Sequence, residues 1–377
     1  MIRKHSTLLA LVLAFGLPAA ACAGGAAPTT AAPTATTEAM TDTTEAMTDT
    51  TEAATTTSAA ASGEGITVGM AYDIGGRGDQ SFNDAAARGL DQAIADFGID
   101  SEELEPEAGG ENREENLRLL AEAGLPLIFA VGFLFTDSVL ATAPDFPDTN
   151  FALIDSVVEE PNVANLLFAE EQGSFLVGAA AALKSESGTI GFIGGVEVDL
   201  IKKFQAGFEA GVAQINPDAE VLVTYLTQPP DFTGFNDPAK GKEAALAQFE
   251  QGADVIYHAA GGSGGGLFEA AREVSESEGS QHWAIGVDSD QYNIVDASLQ
   301  PYILTSMLKR VDVATYETIT DLVEGNFQAG IRIFDLAADG VGYATSGGFV
   351  DDIAPQLEEL RQQIIDGEIE VPTAPES

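Results

Sequence analysis

From residue 66 onward the sequence predicts an α/β protein of two doubly wound lobes, and three observations carry the prediction. Short apolar runs alternate with amphipathic stretches along the whole region. Several of the runs are apolar throughout, as strands buried on both faces of a parallel sheet must be. Some 310 residues of this alternation are more than one sheet needs, so the core divides in two.

The elements follow in order. The run ITVGMAY opens the series and stops at Asp73. A glycine-rich turn leads through Ser-Phe-Asn into a helix over Phe82–Phe97, and a second helix spans Arg113–Ala123. PLIFAVG, NFALID and VANLLFA are then strands. In the second half GTIGFIGG, EVLVTYL, ADVIYHAA, HWAIGVD and YILTSML read the same way. Helices over Leu200–Ile215, Ala239–Gln251 and Val311–Glu324 lie among them. Strand and helix in alternation imply right-handed crossovers between parallel strands.

Acidic residues number 60 against 16 basic ones, a formal charge of −44 over 377 residues. Such a surface repels phosphate backbones and anionic headgroups, which excludes nucleic acid as a partner. The N-terminus reads as an export signal: MIRKH is basic, LLALVLAFGL apolar, and PAAAC a small-residue cleavage site. The apolar run is too short to span a bilayer. Cys22 is the single cysteine, so no intramolecular disulfide forms, and its place directly after the apolar run is that of a lipid acceptor. A diacylated Cys22 would hold the chain stably at the outer face of the cell membrane. Residues 23–64 are rich in Ala, Thr, Pro and Glu, with TEAMTDT repeated at Thr37–Thr43 and Thr44–Thr50. Only Met and Ala are apolar in that repeat, so a solvated tether is expected and not a coiled coil.

Open parallel sheets bind ligands at the carboxyl ends of their strands. Asp73 stands there after the first strand; Gly132, Phe133 and Asp137 follow PLIFAV; Ala259–Gly266 follows ADVIYH; Asp288 follows HWAIGV; Lys309 follows YILTSML. Each also has a plain structural reading. Ser81 or Asn83 caps a helix equally well, Phe82 and Phe235 equally pack a core, and Asp288 equally serves a turn. The run AAGGSGGG lacks Gly-Lys-Ser/Thr and the GxGxxG spacing, so it is no nucleotide loop, though its glycines let backbone approach a ligand. His258 and His282 lie in apolar runs and read as core; with three histidines and no CxxC or HExxH, no metal site or other cofactor is implied.

Asp73 with SFND, VGF with Asp137, GFNDPAKGKEAA, GADVIYHAAGGSGGG, GVDSDQ and SMLKRVD together resemble the basic membrane protein family. Its members are lipid-anchored substrate-binding proteins of ABC transporters, of the purine nucleoside receptor type. The resemblance covers nearly all of residues 66–370 and keeps the family's motif order. It implies a type I periplasmic-binding-protein fold within residues 65–372, two lobes joined by three crossovers. The first lobe is expected at about 66–170 with 305–330, the second at about 171–304 with 331–372. It implies that Phe82 and Phe235 stack on a purine ring. It implies further that Asn83 and Asp73 bond the base, that Gly262 and Gly264 offer backbone, that Asp288 and Lys309 bind ribose hydroxyls, and that Asp137 adds an acceptor. Three carboxylates around one lysine would leave the site net negative and disfavour nucleotides. The function expected is a monomeric, non-enzymatic receptor that delivers a nucleoside to an ABC permease. Nothing resembles a nucleophile–base arrangement, and GFIGG lacks the serine of a GxSxG elbow. A binding protein for a sugar or another small neutral solute is the alternative, since the fold hosts many ligands.

Overall fold

The computed structural model describes residues 62–107 and 109–375. The expectations for the signal peptide, Cys22 and nearly all of the tether fall outside the described residues. Gly63 already donates its N–H to the Phe97 carbonyl at 2.8 Å, so the fold begins slightly before residue 65.

The chain first builds β1 (Thr67–Ala71), α1 (Phe82–Phe97), β2 (Asp100–Leu104), α2 (Arg113–Glu122), β3 (Leu127–Ala130), α3 (Thr136–Thr142), β4 (Asn150–Ile154) and β5 (Val163–Phe168). It then crosses to a second unit of α4 (Glu170–Lys184), β6 (Thr189–Val196), α5 (Asp199–Ile215), β7 (Glu220–Thr227), α6 (Pro238–Glu250), β8 (Val255–Ala259), α7 (Gly264–Glu278), β9 (Trp283–Asp288) and β10 (Ile303–Lys309). It returns for α8 (Val311–Val323) and β11 (Gly330–Phe334), and crosses once more to β12 (Val341–Tyr343) and α9 (Ala354–Ile365). The first sheet has the order β11-β5-β4-β3-β1-β2, the second β12-β10-β9-β8-β6-β7. Every pairing is parallel except β12 on β10. Two doubly wound lobes joined by three crossovers is the fold the resemblance implies.

The lobe boundaries need correction. β10 pairs with β9 in the second sheet, where the sequence reading starts a first-lobe segment at about 305. β11 pairs with β5 in the first sheet, where that reading has already returned to the second lobe. An apolar run identifies a strand but not its partner. β11 is moreover an edge strand with Ile331 and Ile333 about 60% exposed, so its pattern carries no burial signal.

Strands β1, β3 and β4 are almost wholly buried, because helices cover both faces of a parallel sheet. The start of α1 is fixed by Asp79. Its carboxylate accepts from the N–H groups of Ser81 at 2.8 Å, Asn83 at 2.8 Å and Asp84 at 3.1 Å, satisfying donors the helix cannot. The helix ends at Gly98, whose φ of +69° suits glycine and whose N–H bonds the Ile94 carbonyl at 3.0 Å. Neither Ser81 nor Asn83 caps this helix. Both are released for other contacts.

Candidate functional site

The carboxyl ends of β1, β3 and β4 face those of β8, β9 and β10 across a cavity between the lobes. Asp73, Phe82, Asn83, Gly132, Asp155, Phe235, Gly261, Asp288 and Lys309 are among its lining residues. Asp155 and Asp288 sit immediately after β4 and at the end of β9 with φ of +68° and +63°. Non-glycine residues seldom adopt this region, and holding two carboxylates there turns both into the space between the lobes.

The floor is a buried charge cluster. The Lys309 ammonium, 2% exposed, lies 2.6 Å from Asp155 Oδ2 and 3.1 Å from Glu170 Oε1. Three aromatic rings enclose it, with Phe82 and Phe168 each centred 5.1 Å away and Phe204 5.6 Å away. Burial opposes a charged lysine, but Asp155, Glu170 and Asp288 outweigh it and raise Lys309 above its ordinary range. Burial pushes Asp155 up, against the pull of Lys309. Asp155 Oδ1 is buried with no hydrogen-bond partner among the described residues. Burial likewise raises Asp288 to about 6, with Lys309 and the Ser81 hydroxyl opposing. An acceptor left unpartnered among such charges is costly unless a ligand donor meets it.

The opposite end is built on Asp73. Arg113, the first residue of α2, donates to its Oδ1 from two nitrogens, Nε at 3.0 Å and Nη2. The Asn83 side chain is fully employed in the loop. Its Oδ1 accepts from the Asp73 N–H at 3.1 Å, and its Nδ2 donates to Ile74 O at 3.3 Å and Asp79 Oδ2 at 3.0 Å. Between the two polar ends the walls are apolar: Phe82, Phe133 and Leu134 from the first lobe, Leu200, Ile201, Phe204 and Phe235 from the second. Phe235 packs against Gly195, where a Cβ would come within 2.6 Å of its ring.

The lobes are closed on this cavity. Ser81 Oγ donates to Asp288 Oδ2 at 2.5 Å, Ser289 Oγ to Ser81 O at 2.9 Å, and Gln291 Nε2 to Gln80 O at 3.1 Å. Phe133 and Phe235 meet across the gap with centroids 6.3 Å apart. Behind them His258 is buried, as its apolar run suggested. Its Nε2 lies 3.1 Å from Gln291 Oε1, and burial lowers its pKa to about 4.

Six of the nine residues singled out in the sequence line the cavity: Asp73, Phe82, Asn83, Phe235, Asp288 and Lys309. Three do not. Asp137 is exposed on α3, because a short helical turn over Phe133–Phe135 carries it away from the strand end. Gly264 is bare for a structural reason, since a Cβ there would lie 1.9 Å from the His258 ring. Gly262 faces Asn236, and it is Gly261, with φ of +55°, that lines the space. Asp155 was missed although NFALID ends on it, the same strand-end signal that marks Asp73 and Asp288. The apolar wall on α5 gives no such signal, because its residues read as ordinary helix core. Among the described residues no group of three or more side chains is arranged to hold a metal, and no helix is long and apolar enough to cross a membrane.

A family model described as ABC transporter substrate-binding protein PnrA-like matches residues 66–374. The chain is 33% identical over 327 residues to the CD4+ T-cell-stimulating antigen of Listeria monocytogenes, covering 83% of this chain and 90% of that protein. It is 31% identical over 325 residues to the ABC transporter nucleoside-binding protein BmpA of Lactococcus lactis, covering 82% and 89%. The solved structure of an ABC transporter solute-binding protein from Aeropyrum pernix matches with a TM-score of 0.72 and 32% identity, covering 82% of this chain and 94% of that one.

Proposed function

The chain belongs to the PnrA-like family of ABC transporter substrate-binding proteins, and on that premise we propose that it captures nucleosides, purine nucleosides foremost, for an ABC importer. The family consists of binding proteins and not of enzymes, so its members serve a permease with a small-molecule ligand.

One observation carries the nucleoside reading. The cavity joins an apolar part, with Phe82 and Phe235 among its walls, to a polar end where Asp155, Asp288 and Lys309 converge. A nucleoside has that division, a planar ring to stack and a sugar whose hydroxyls donate. Stacking on an aromatic side chain contributes about 1–3 kcal/mol per base. The unpartnered Asp155 Oδ1 and the ionised Asp288 accept from hydroxyls, and Lys309 donates. Four carboxylates line the cavity beside a single lysine, which disfavours a phosphorylated ligand. The ligand stabilises the closed lobes by bridging them, and release follows reopening. A lipid on Cys22 and the segment after it would keep this monomeric receptor at the outer membrane face, within reach of the permease.

The test is isothermal calorimetry on the purified chain, unfolded and refolded to strip carried ligand. Inosine, guanosine, adenosine, uridine, ribose and GMP form the panel. Tight purine nucleoside binding, abolished by Phe82→Ala and by Asp288→Ala, with ribose and GMP silent, is the expected result. Heat from ribose alone would favour the second reading, a sugar or similar neutral solute held by the Asp155–Lys309–Asp288 end, and would reduce the aromatic walls to packing.

A further inference from the structure

The two oxygens of Asp73 have different fates. Oδ1 is saturated: Arg113 donates to it through Nε at 3.0 Å and through Nη2, and the Ile74 N–H donates at 2.7 Å. Among the described residues no donor reaches Oδ2. A Cβ built on Gly132 would lie 3.1 Å from that oxygen and 3.5 Å from Cε1 of Phe82. Gly132, at φ +117°, leaves this corner empty. A planar ring stacked on Phe82 therefore brings one edge to Oδ2. Asn83 cannot adapt to that edge, since both ends of its amide are held by the loop.

Resting on the nucleoside reading, we propose that Arg113 is the specificity-setting residue of the site. It fixes Asp73 as an acceptor-only carboxylate, which admits purines presenting an N–H at the ring edge, such as hypoxanthine and guanine, and rejects those presenting only ring nitrogens there.

The physical argument is one of opposed effects. Burial of Asp73 is the larger and lifts its carboxyl above the ordinary range, while the Arg113 charge and hydrogen bonds and the Ile74 N–H oppose it and limit the rise. A neutral Asp73 would carry an O–H and could donate to a ring nitrogen. A carboxylate cannot, and it meets that nitrogen lone pair to lone pair. The other charged groups around the cavity do not take over the role of Arg113. Asp79, on the same loop, is occupied with the amides of α1. Asp155, after β4, and Lys309, from the second lobe, are paired with each other, and Asp288 accepts from Ser81. Glu105, after β2, turns to the Arg77 N–H at 3.3 Å.

The probes are inosine and purine riboside, which lacks both the oxo group and the ring N–H, titrated into the full chain between pH 6 and 8. Wild type should bind purine riboside roughly 10- to 100-fold more weakly than inosine. In Arg113→Met that ratio should collapse, and purine riboside should gain on inosine as pH falls and Asp73 gains a proton. Arg113→Lys should restore the preference in part. Asp73→Asn offers donor and acceptor at every pH, so it should show little preference and a ratio that does not change with pH, and it carries the test if Arg113→Met does not fold. Equal binding of the two ribosides by wild type, or a ratio unchanged in Arg113→Met and Asp73→Asn, overturns the proposal and leaves the nucleoside reading standing. Failure of wild type to bind either riboside overturns both.

Discussion

Asp288 is buried at the end of β9, with the Ser81 hydroxyl on one oxygen and the Lys309 charge nearby. Its folded pKa is about 6, against about 3.9 for an unperturbed Asp. A carboxyl raised on folding contributes stability that is fully present below its unfolded pKa and lost as pH rises through the folded one. The loss is on the order of 3 kcal/mol between about pH 4 and pH 7. A ligand hydroxyl donating to Asp288 favours the ionised form, so binding near pH 6 releases protons and affinity weakens below that pH. Calorimetry at pH 6 in two buffers of different ionisation enthalpy checks this. Proton release should be present in wild type and reduced in Asp288→Asn; equal heats in both buffers would remove Asp288 from the ligand. At this scale the sequence was legible wherever a charged residue ends an apolar strand, as Asp73, Asp288 and Lys309 do. Asp155 obeys the same rule and was readable by it. Asp137 was misread because nothing local says that the turn after β3 swings it outward.

Helices α4 and α5 set the depth of the cavity, and glycine sets the distance between them. A Cβ on Gly207 would lie 2.1 Å from Glu171 O, on Gly211 2.0 Å from Phe175 O, and on Gly178 2.2 Å from Phe208 O. The close approach seats Glu170, at the head of α4, 2.8 Å from Lys203 of α5, and it brings Leu200, Ile201 and Phe204 to the cavity wall. Alanine in a helix interior normally gains about 1 kcal/mol over glycine, whereas overpacking against backbone costs about 1–3 kcal/mol or more. Gly211→Ala should therefore destabilise the protein and weaken ligand binding together. Gly265→Ala, in α7 with nothing within 4 Å of the added carbon, should be neutral or stabilising by up to about 1 kcal/mol. Urea denaturation of both variants compares the two, and equal midpoints would show that α4 and α5 have room to separate. Apolar strands such as β3 and β4 announce themselves in sequence. β2 does not, because DSEEL is a polar edge strand held by its backbone pairing with β1.

The closed molecule holds its lobes together by the buried Lys309–Asp155 ion pair at 2.6 Å, by Arg88 Nη2 donating to Ser289 Oγ at 2.8 Å, and by a group of bonds on the loop before α1. Ser81 offers its hydroxyl to Asp288 and its carbonyl to Ser289, while Gln80 accepts from Gln291. Against them stand carboxylates brought together at the cavity floor with one oxygen unpartnered. The balance between open and closed forms is thus set by these contacts and by whatever donors enter the cleft. A ligand shifts that balance only by its differential affinity for the two forms. Ser81→Ala removes one latch and leaves Asp288 less satisfied, at a cost of about 1–3 kcal/mol to the closed form alone. Solution scattering of the ligand-free protein should show a larger radius of gyration in this variant than in wild type. Nucleoside affinity should fall roughly 5- to 100-fold through faster dissociation, since opening precedes release. A variant that scatters like wild type yet binds as weakly as predicted would place Ser81 on the ligand itself and not on the latch. Unchanged scattering with unchanged affinity would mean that closure depends on the crossovers and not on these bonds.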